Sequence, residues 1–169
     1  TQDDFVRVQR LIYEHAGIVL SDIKFDMVYS RLIRRVRSGK HHSFCEYLDW
    51  LEQLDDSTAW EGFINALTTN MTSFFREAHH FPILAAHLRK QTHRPLHIWC
   101  CAASTGEEAY SIAMTVAEVF GSTNVPVNIL ASDIDTHVLA VAEKGIYPAE
   151  RIENLSNEQR LRFFLRGKG

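Results

Sequence analysis

The feature that most constrains the fold is a short apolar segment followed by a turn of small residues and then a helix. Residues 96–101 have the largely apolar pattern of a buried strand, and the small residues after them end at Gly106. Glu107 opens a helical pattern that stops at Gly121, and residues 125–131 form a second apolar segment. Two successive strands joined through a helix run parallel, with a right-handed connection. The sequence therefore predicts a βαβ unit of an α/β fold.

The part of the chain before this unit predicts a small helical bundle. Apolar residues recur there at helical spacing in four successive segments, and polar residues or glycines separate the segments. On the second helix, Phe25, Val28, Leu32 and Val36 are expected to share the buried face. The residues expected to begin or end the helices are Asp3 or Asp4, Gly17, Ser21, Gly39, Ser43 and Ser57.

These patterns divide the chain into three parts. We predict an all-α helical domain over residues 1–68, a connecting segment with a helix over residues 69–95, and an α/β domain over residues 96–169. An open α/β sheet usually has about five or six strands, and two strands cannot complete one. The α/β domain is therefore expected to be incomplete, and residues 166–169 have the composition of a linker.

Composition favours a globular cytoplasmic protein. The chain is 46% hydrophobic with a net charge of -3, which gives no general reason to expect a nucleic acid as partner. Its apolar runs fall well below the roughly 20 residues that span a membrane, so no membrane insertion is expected. Cys45, Cys100 and Cys101 lack CxxC spacing and predict buried thiols in a reducing compartment. The histidine pairs are adjacent in sequence, which does not favour a metal site.

Two acidic residues, Glu107 at the helix start and Asp133 at the end of the second strand, point to a cofactor. Nucleotides bind beyond the carboxyl ends of parallel strands, where Asp133 can accept hydrogen bonds from ribose hydroxyls. The turn has one glycine rather than three, and Glu107 places a carboxylate where a pyrophosphate would lie, so a cationic cofactor such as S-adenosylmethionine fits better. From spacing alone, Glu107 could equally be a helix-start acid and Asp133 an ordinary loop residue.

Three motifs then make the sequence similar to a known family. Residues 70–77 read NMTSFFRE, residues 103–113 read ASTGEEAYSIA and residues 131–135 read ASDID. In this order they closely resemble the CheR-type chemotaxis receptor glutamate O-methyltransferases, and the similarity extends through the N-terminal helices. One departure is Ala109, where proline is common in the family.

The resemblance implies roles for individual residues. It implies a Rossmann-like methyltransferase domain that uses S-adenosylmethionine and releases S-adenosylhomocysteine. The residues that match the family's cofactor pocket are Asn70, Thr72, Arg76, Glu107 and Asp133. Arg76 also matches the arginine placed near the transferred methyl group, where a guanidinium can hold a carboxylate in a defined plane.

A basic run on the second helix is the other candidate. It consists of Arg31, Arg34, Arg35, Arg37 and Lys40, with no acid between Asp26 and Glu46. By itself such a run indicates a solvated face or a nucleic-acid contact. The resemblance implies instead that Arg31, Arg34, Arg35 and Arg37 meet the glutamate-rich cytoplasmic methylation helices of chemoreceptors.

The function implied for the intact protein is methylation of receptor glutamate side chains during chemotaxis. The 169-residue chain alone is expected to be inactive, and its unpaired strand edges favour self-association or loosening of its second half. Two alternatives remain at this point: a non-catalytic receptor-binding fragment, and a nucleotide-dependent α/β oxidoreductase, which the missing glycines disfavour.

Overall fold

The computed structural model describes residues 1–54, 56–93 and 95–167, which form two compact units. The first unit contains residues 1–69 and 134–136, and the second contains residues 70–133 and those from 137 onward. Lys168 and Gly169, in the stretch of linker-like composition, lie outside the described residues. No helix in the described part of the chain has the length and apolarity needed to cross a membrane.

Four α-helices build the first unit, as the apolar spacing predicts. They are α1 (Gln2–Ala16), α2 (Phe25–Ser38), α3 (Phe44–Gln53) and α4 (Ser57–Leu67). Gly17 ends α1 in the left-handed conformation, at φ 65°, and Ser43 caps α3 by accepting a hydrogen bond from the Glu46 amide.

Two predicted helix starts were wrong. The α1 N-cap is Thr1 rather than Asp3 or Asp4, because Asp4 occupies the third helical position and completes a capping box with Thr1. Ser21 does not open α2. A single 3₁₀ turn over Asp22–Lys24 comes first, closed by the Lys24 amide on the Ser21 carbonyl.

The core of the first unit is made of the apolar faces of these helices. Val28, Leu32 and Val36 are buried on α2, which confirms the predicted inward face, and Phe25 packs partly buried against the same cluster. The fully buried members from the neighbouring helices include Ile12, Leu48, Leu51 and Phe63. Packing of these side chains, rather than helix propensity, supplies most of the stability of helices this short.

The second unit contains a parallel pair of strands with helices. Its elements are α5 (His80–Lys90), β1 (Leu96–Cys100), α6 (Glu107–Phe120), β2 (Val127–Ala131), α7 (Thr136–Lys144, whose first residue belongs to the first unit) and α8 (Asn157–Phe163). Strands β1 and β2 pair in parallel, with Ile98 opposite Ile129. The predicted parallel pairing of the two strands in a βαβ unit is therefore confirmed. A 3₁₀ turn over Ala149–Ile152 lies between α7 and α8.

One face of the strand pair is covered and the other is open. Ile98, Cys100 and Ile129 join a core cluster with α5 and α6, whereas Trp99 and Leu130, on the opposite face, are 68% and 64% exposed. Only Cys100 of the three cysteines is buried, so the prediction of buried thiols was wrong for Cys45 and Cys101. Cys101 lies in the turn just beyond β1, which ends at Cys100, and is exposed there.

Candidate functional site

The turn after β1 requires a glycine at position 106. Gly106 has φ 97°, a conformation that side chains rarely adopt, and it is the N-cap of α6. A Cβ atom built on it would lie 2.8 Å from the Ala142 Cβ and 2.8 Å from the Tyr147 hydroxyl. The turn is thus tightly packed from both sides, and its backbone is held at the carboxyl end of β1.

A hydrogen bond to the Asp133 side chain connects the end of β2 with the turn after β1. The Asp133 Oδ2 atom accepts a hydrogen bond of 2.8 Å from the Ser104 amide, in the turn after β1. Ser104 is buried and has a positive φ of 49°, a strained conformation for a residue with a side chain. A carboxylate offers about four acceptor positions, so an aspartate at this place can bind more than one donor.

Glu107 is an ionisable residue of the second unit that is almost fully buried. It is only 1% exposed at the first position of α6, and its Oε2 accepts a bond of 2.6 Å from the Thr105 hydroxyl. Its Oε1 has no hydrogen-bond partner among the described residues. The nearest cation is the Arg151 guanidinium, whose Nη1 lies 3.6 Å from Oε1. A buried carboxylate oxygen without a donor is costly, so a cationic ligand would stabilise it.

The motif at residues 70–77 is attached to this turn and helix. The Ser104 hydroxyl donates to the Asn70 carbonyl at 2.9 Å. One turn into α6, the buried Ser111 hydroxyl accepts a bond of 2.9 Å from the Phe75 amide and donates to the Glu107 carbonyl. The structure therefore brings together all three motifs that the sequence singled out.

Arg76 lies between two strained residues. Phe75 and Glu77 have φ angles of 52° and 53°, and the exposed Arg76 side chain donates to the Met71 carbonyl at 2.6 Å. Backbone strain of this kind costs about 1–3 kcal/mol per residue and persists only where the surroundings enforce it. A surface cavity of about 410 Å³ opens beside it, lined by Arg76, Glu77, His80, Phe81, Leu84, Glu108 and Ile112.

Comparison with known proteins identifies the two units. Residues 3–68 match the all-alpha domain of the CheR methyltransferases, and residues 70–169 match their SAM-binding domain. The chain belongs to the CheR methyltransferase family. This confirms the resemblance carried by the three motifs, and with it the predicted fold class of an all-α part followed by a methyltransferase α/β part.

The curated relatives of the CheR family are longer than this chain. It is 53% identical to a chemotaxis protein methyltransferase of Escherichia coli, over 98% of this chain and 57% of the relative. It is 52% identical to chemotaxis protein methyltransferase 2 of Pseudomonas aeruginosa, over 100% of this chain and 60% of the relative. The chain thus spans a little over half the length of these relatives.

The site fits S-adenosylmethionine, the cofactor that the CheR SAM-binding domain indicates. The unsatisfied Oε1 of Glu107 suits a cationic ammonium group, and Asp133 lies where a nucleoside ribose is expected at the strand ends. Thr72 belongs to the same region, because its carbonyl accepts a bond of 3.0 Å from Arg151. The assignments of Asn70, Thr72, Arg76, Glu107 and Asp133 to the pocket remain predictions that this arrangement supports.

Sequence reasoning missed the segment that follows α7. Tyr147 donates to the Thr105 carbonyl at 2.6 Å, and Arg151 contacts Thr72 and Glu107. The side-chain amide of Asn154 donates to the Phe74 carbonyl at 2.8 Å. None of these residues belongs to a motif, and no periodicity marks them. A second cavity, of about 310 Å³ and mostly apolar, contains none of the predicted site residues, so we assign it no role in cofactor binding.

The basic residues of α2, in the first unit, have two different environments. Arg34 and Arg37 are exposed, whereas Arg31 and Arg35 are half-buried. The Arg31 guanidinium donates to the carbonyls of Leu67 (3.2 Å) and Thr68 (2.5 Å) at the end of α4. Arg31 therefore satisfies the last carbonyls of α4, a structural role that sequence spacing did not reveal.

Proposed function

We propose that the protein containing this chain transfers a methyl group from S-adenosylmethionine to glutamate side chains of chemotaxis receptors. The observation that carries the proposal is the buried Glu107 carboxylate, whose Oε1 accepts no hydrogen bond from the described residues, together with Asp133 at the end of β2. Family membership and the similarity to chemotaxis protein methyltransferases support the same reaction class.

The cofactor supplies an activated methyl group on a sulfonium, from which a carboxylate oxygen displaces neutral S-adenosylhomocysteine. Glu107 would hold the positive amino-acid end through Oε1, and Asp133 would hold the ribose. Because a glutamate side chain, with a pKa of about 4.3, is already ionised at neutral pH, the protein needs no general base. What it must supply is alignment of the attacking oxygen with the methyl carbon.

Arg76 is the residue proposed to supply that alignment. Its guanidinium can bind a carboxylate through two parallel hydrogen bonds, which fixes the plane of the substrate group. The residues on either side of it have positive φ angles, and such strain persists only where the surrounding structure enforces it. The bond from Arg76 to the Met71 carbonyl further restricts where the guanidinium lies.

The direct test is methyl incorporation into receptor membranes. The full-length protein, given methyl-labelled S-adenosylmethionine, should label receptors with esters that release methanol in base, whereas amide or amine methylation would not. Residues 1–169 alone should give no comparable turnover. Turnover by this chain within about tenfold of the full-length protein, a barrier difference of about 1.4 kcal/mol, would contradict its expected inactivity. Absence of base-labile label from the full-length protein would refute the proposed function.

The receptor contact is proposed to use the exposed basic residues of α2. Arg34→Glu combined with Arg37→Glu should slow methylation at low salt and flatten its salt dependence, because opposite charge accelerates encounter with acidic receptor helices. Cofactor affinity should stay unchanged. Arg89→Glu combined with Lys90→Glu makes the same charge change on exposed residues of α5 and is the matched control. Equal salt dependence for the two double variants would place the receptor contact elsewhere.

A further inference from the structure

The connection between Tyr147 and the turn after β1 is short and direct. The Tyr147 hydroxyl donates to the Thr105 carbonyl at 2.6 Å. The Thr105 hydroxyl in turn donates to Oε2 of Glu107, also at 2.6 Å. The same tyrosine oxygen is one of the atoms that a Cβ on Gly106 would meet at 2.8 Å. Tyr147 thus contacts the backbone of the turn just before Glu107.

The aromatic ring of Tyr147 is fixed independently of its hydroxyl. It packs edge-on against Phe74, with ring centroids 4.9 Å apart, and against Tyr110, with centroids 5.9 Å apart. Such contacts keep an aromatic ring in place when its polar atom is removed. A change to phenylalanine should therefore remove the hydrogen bond and leave the packing.

The hydroxyl is also expected to remain a donor at any working pH. Burial raises the pKa of Tyr147, and the nearby Glu107 carboxylate raises it further. Because the pKa of a free tyrosine is already about 10, the protonated form persists throughout the neutral range. Loss of the hydroxyl proton therefore does not remove the hydrogen bond to the Thr105 carbonyl in this pH range.

We infer that Tyr147 is a positioning residue for cofactor binding: its hydroxyl holds the turn at Thr105 so that the Glu107 carboxylate meets the ammonium group of the cofactor. The inference rests on the proposed role of Glu107 and goes beyond it, because Tyr147 itself touches no part of the ligand in this scheme. Its effect should be confined to ligands that carry an amino-acid end. A ligand without that end makes no use of Glu107.

Two ligands and a matched pair of variants test the inference in the full-length protein. S-adenosylhomocysteine carries the amino-acid end, and 5′-methylthioadenosine lacks it. By calorimetric titration, Tyr147→Phe should weaken S-adenosylhomocysteine by about threefold to tenfold, the typical effect of one lost hydrogen bond, and change 5′-methylthioadenosine by less than about twofold. Tyr110→Phe removes a hydroxyl that donates to the Ala142 carbonyl at 2.9 Å, and it should leave both ligands unaffected.

A double-mutant cycle distinguishes positioning from general loosening. If Tyr147 acts through Glu107, adding Tyr147→Phe to Glu107→Gln should cost little beyond Glu107→Gln alone. Thr105→Val removes the hydroxyl bonded to Oε2 and should also weaken S-adenosylhomocysteine selectively, because that hydroxyl is the direct contact between the turn and the Glu107 carboxylate.

The possible failures are separable. Equal weakening of both ligands by Tyr147→Phe, no weakening at all, or full additivity with Glu107→Gln would each overturn the positioning role and leave the proposed function intact. If Glu107→Gln itself does not weaken S-adenosylhomocysteine relative to 5′-methylthioadenosine, the assignment of Glu107 is wrong, and the role of Tyr147 fails with it.

Discussion

Replacing Ser111 with alanine should damage catalysis more than its place inside a helix suggests. The side chain is fully buried, and its hydroxyl accepts the Phe75 amide at 2.9 Å while donating to the Glu107 carbonyl at 2.6 Å. It is therefore the direct link between α6 and the segment that carries Arg76. Ser111→Ala removes this link and leaves the Phe75 amide without that acceptor.

The magnitude follows from the groups involved. Leaving a part-buried amide without its acceptor costs about 1–3 kcal/mol. The better helix propensity of alanine returns about 0.5 kcal/mol, and the Glu107 carbonyl keeps its place as an acceptor within α6. The net loss of unfolding free energy should be about 0.5–2.5 kcal/mol. Without this hydrogen bond, the backbone at Phe75 and Glu77 can relax from its positive φ angles. That relaxation would also move Arg76, which lies between them.

The assay compares stability, cofactor affinity and turnover in the full-length protein. We expect kcat/KM for the receptor to fall at least about tenfold, because a small displacement of an aligning group is costly in rate. Thr115→Val is the control: it removes a buried hydroxyl one turn later that donates only to the Ser111 carbonyl, at 2.8 Å. Wild-type kcat/KM in Ser111→Ala, or an equal loss in Thr115→Val, would refute the role assigned to Ser111.

Two further predictions concern the turn and the strand end. Asp133→Ala should weaken S-adenosylhomocysteine by about 1–3 kcal/mol, measured by titration calorimetry, because a charged acceptor is lost, and unchanged affinity in a folded variant would remove Asp133 from the site. Gly106→Ala should lower stability and abolish measurable binding, because the position has φ 97° and a Cβ would lie 2.8 Å from two other side-chain atoms. Wild-type binding and unfolding midpoint in Gly106→Ala would show that the turn can relax.

Local pattern accounts for much of the fold. The helices of the first unit, the buried face of α2 and the parallel strands could be read from the chain, because periodicity and capping depend on residues close in sequence. The errors in element boundaries fell at helix starts, such as Ser21, where a 3₁₀ turn competes with the α-helix over one or two residues.

Part of the candidate site was also accessible from the sequence. Glu107 and Asp133 could be predicted to lie near each other because the carboxyl ends of adjacent parallel strands meet at one edge. The structure supports this through the bond from Ser104 to Asp133. The burial of Glu107 could not be predicted, because exposure depends on what packs over a helix start and not on its sequence.

The sequence by itself determined the order of helices and strands, the family, and the acids at the ends of the strands. Only the tertiary structure decided which side chains hold those acids in place. Tyr147 reaches Thr105 across 42 residues, and Ser111 reaches Phe75 across 36. Arg31, which the sequence presents as one of several surface cations, bonds carbonyls 36 and 37 residues away. Such contacts leave no trace in local periodicity, because each depends on the chain returning to the same place after an intervening strand or helix.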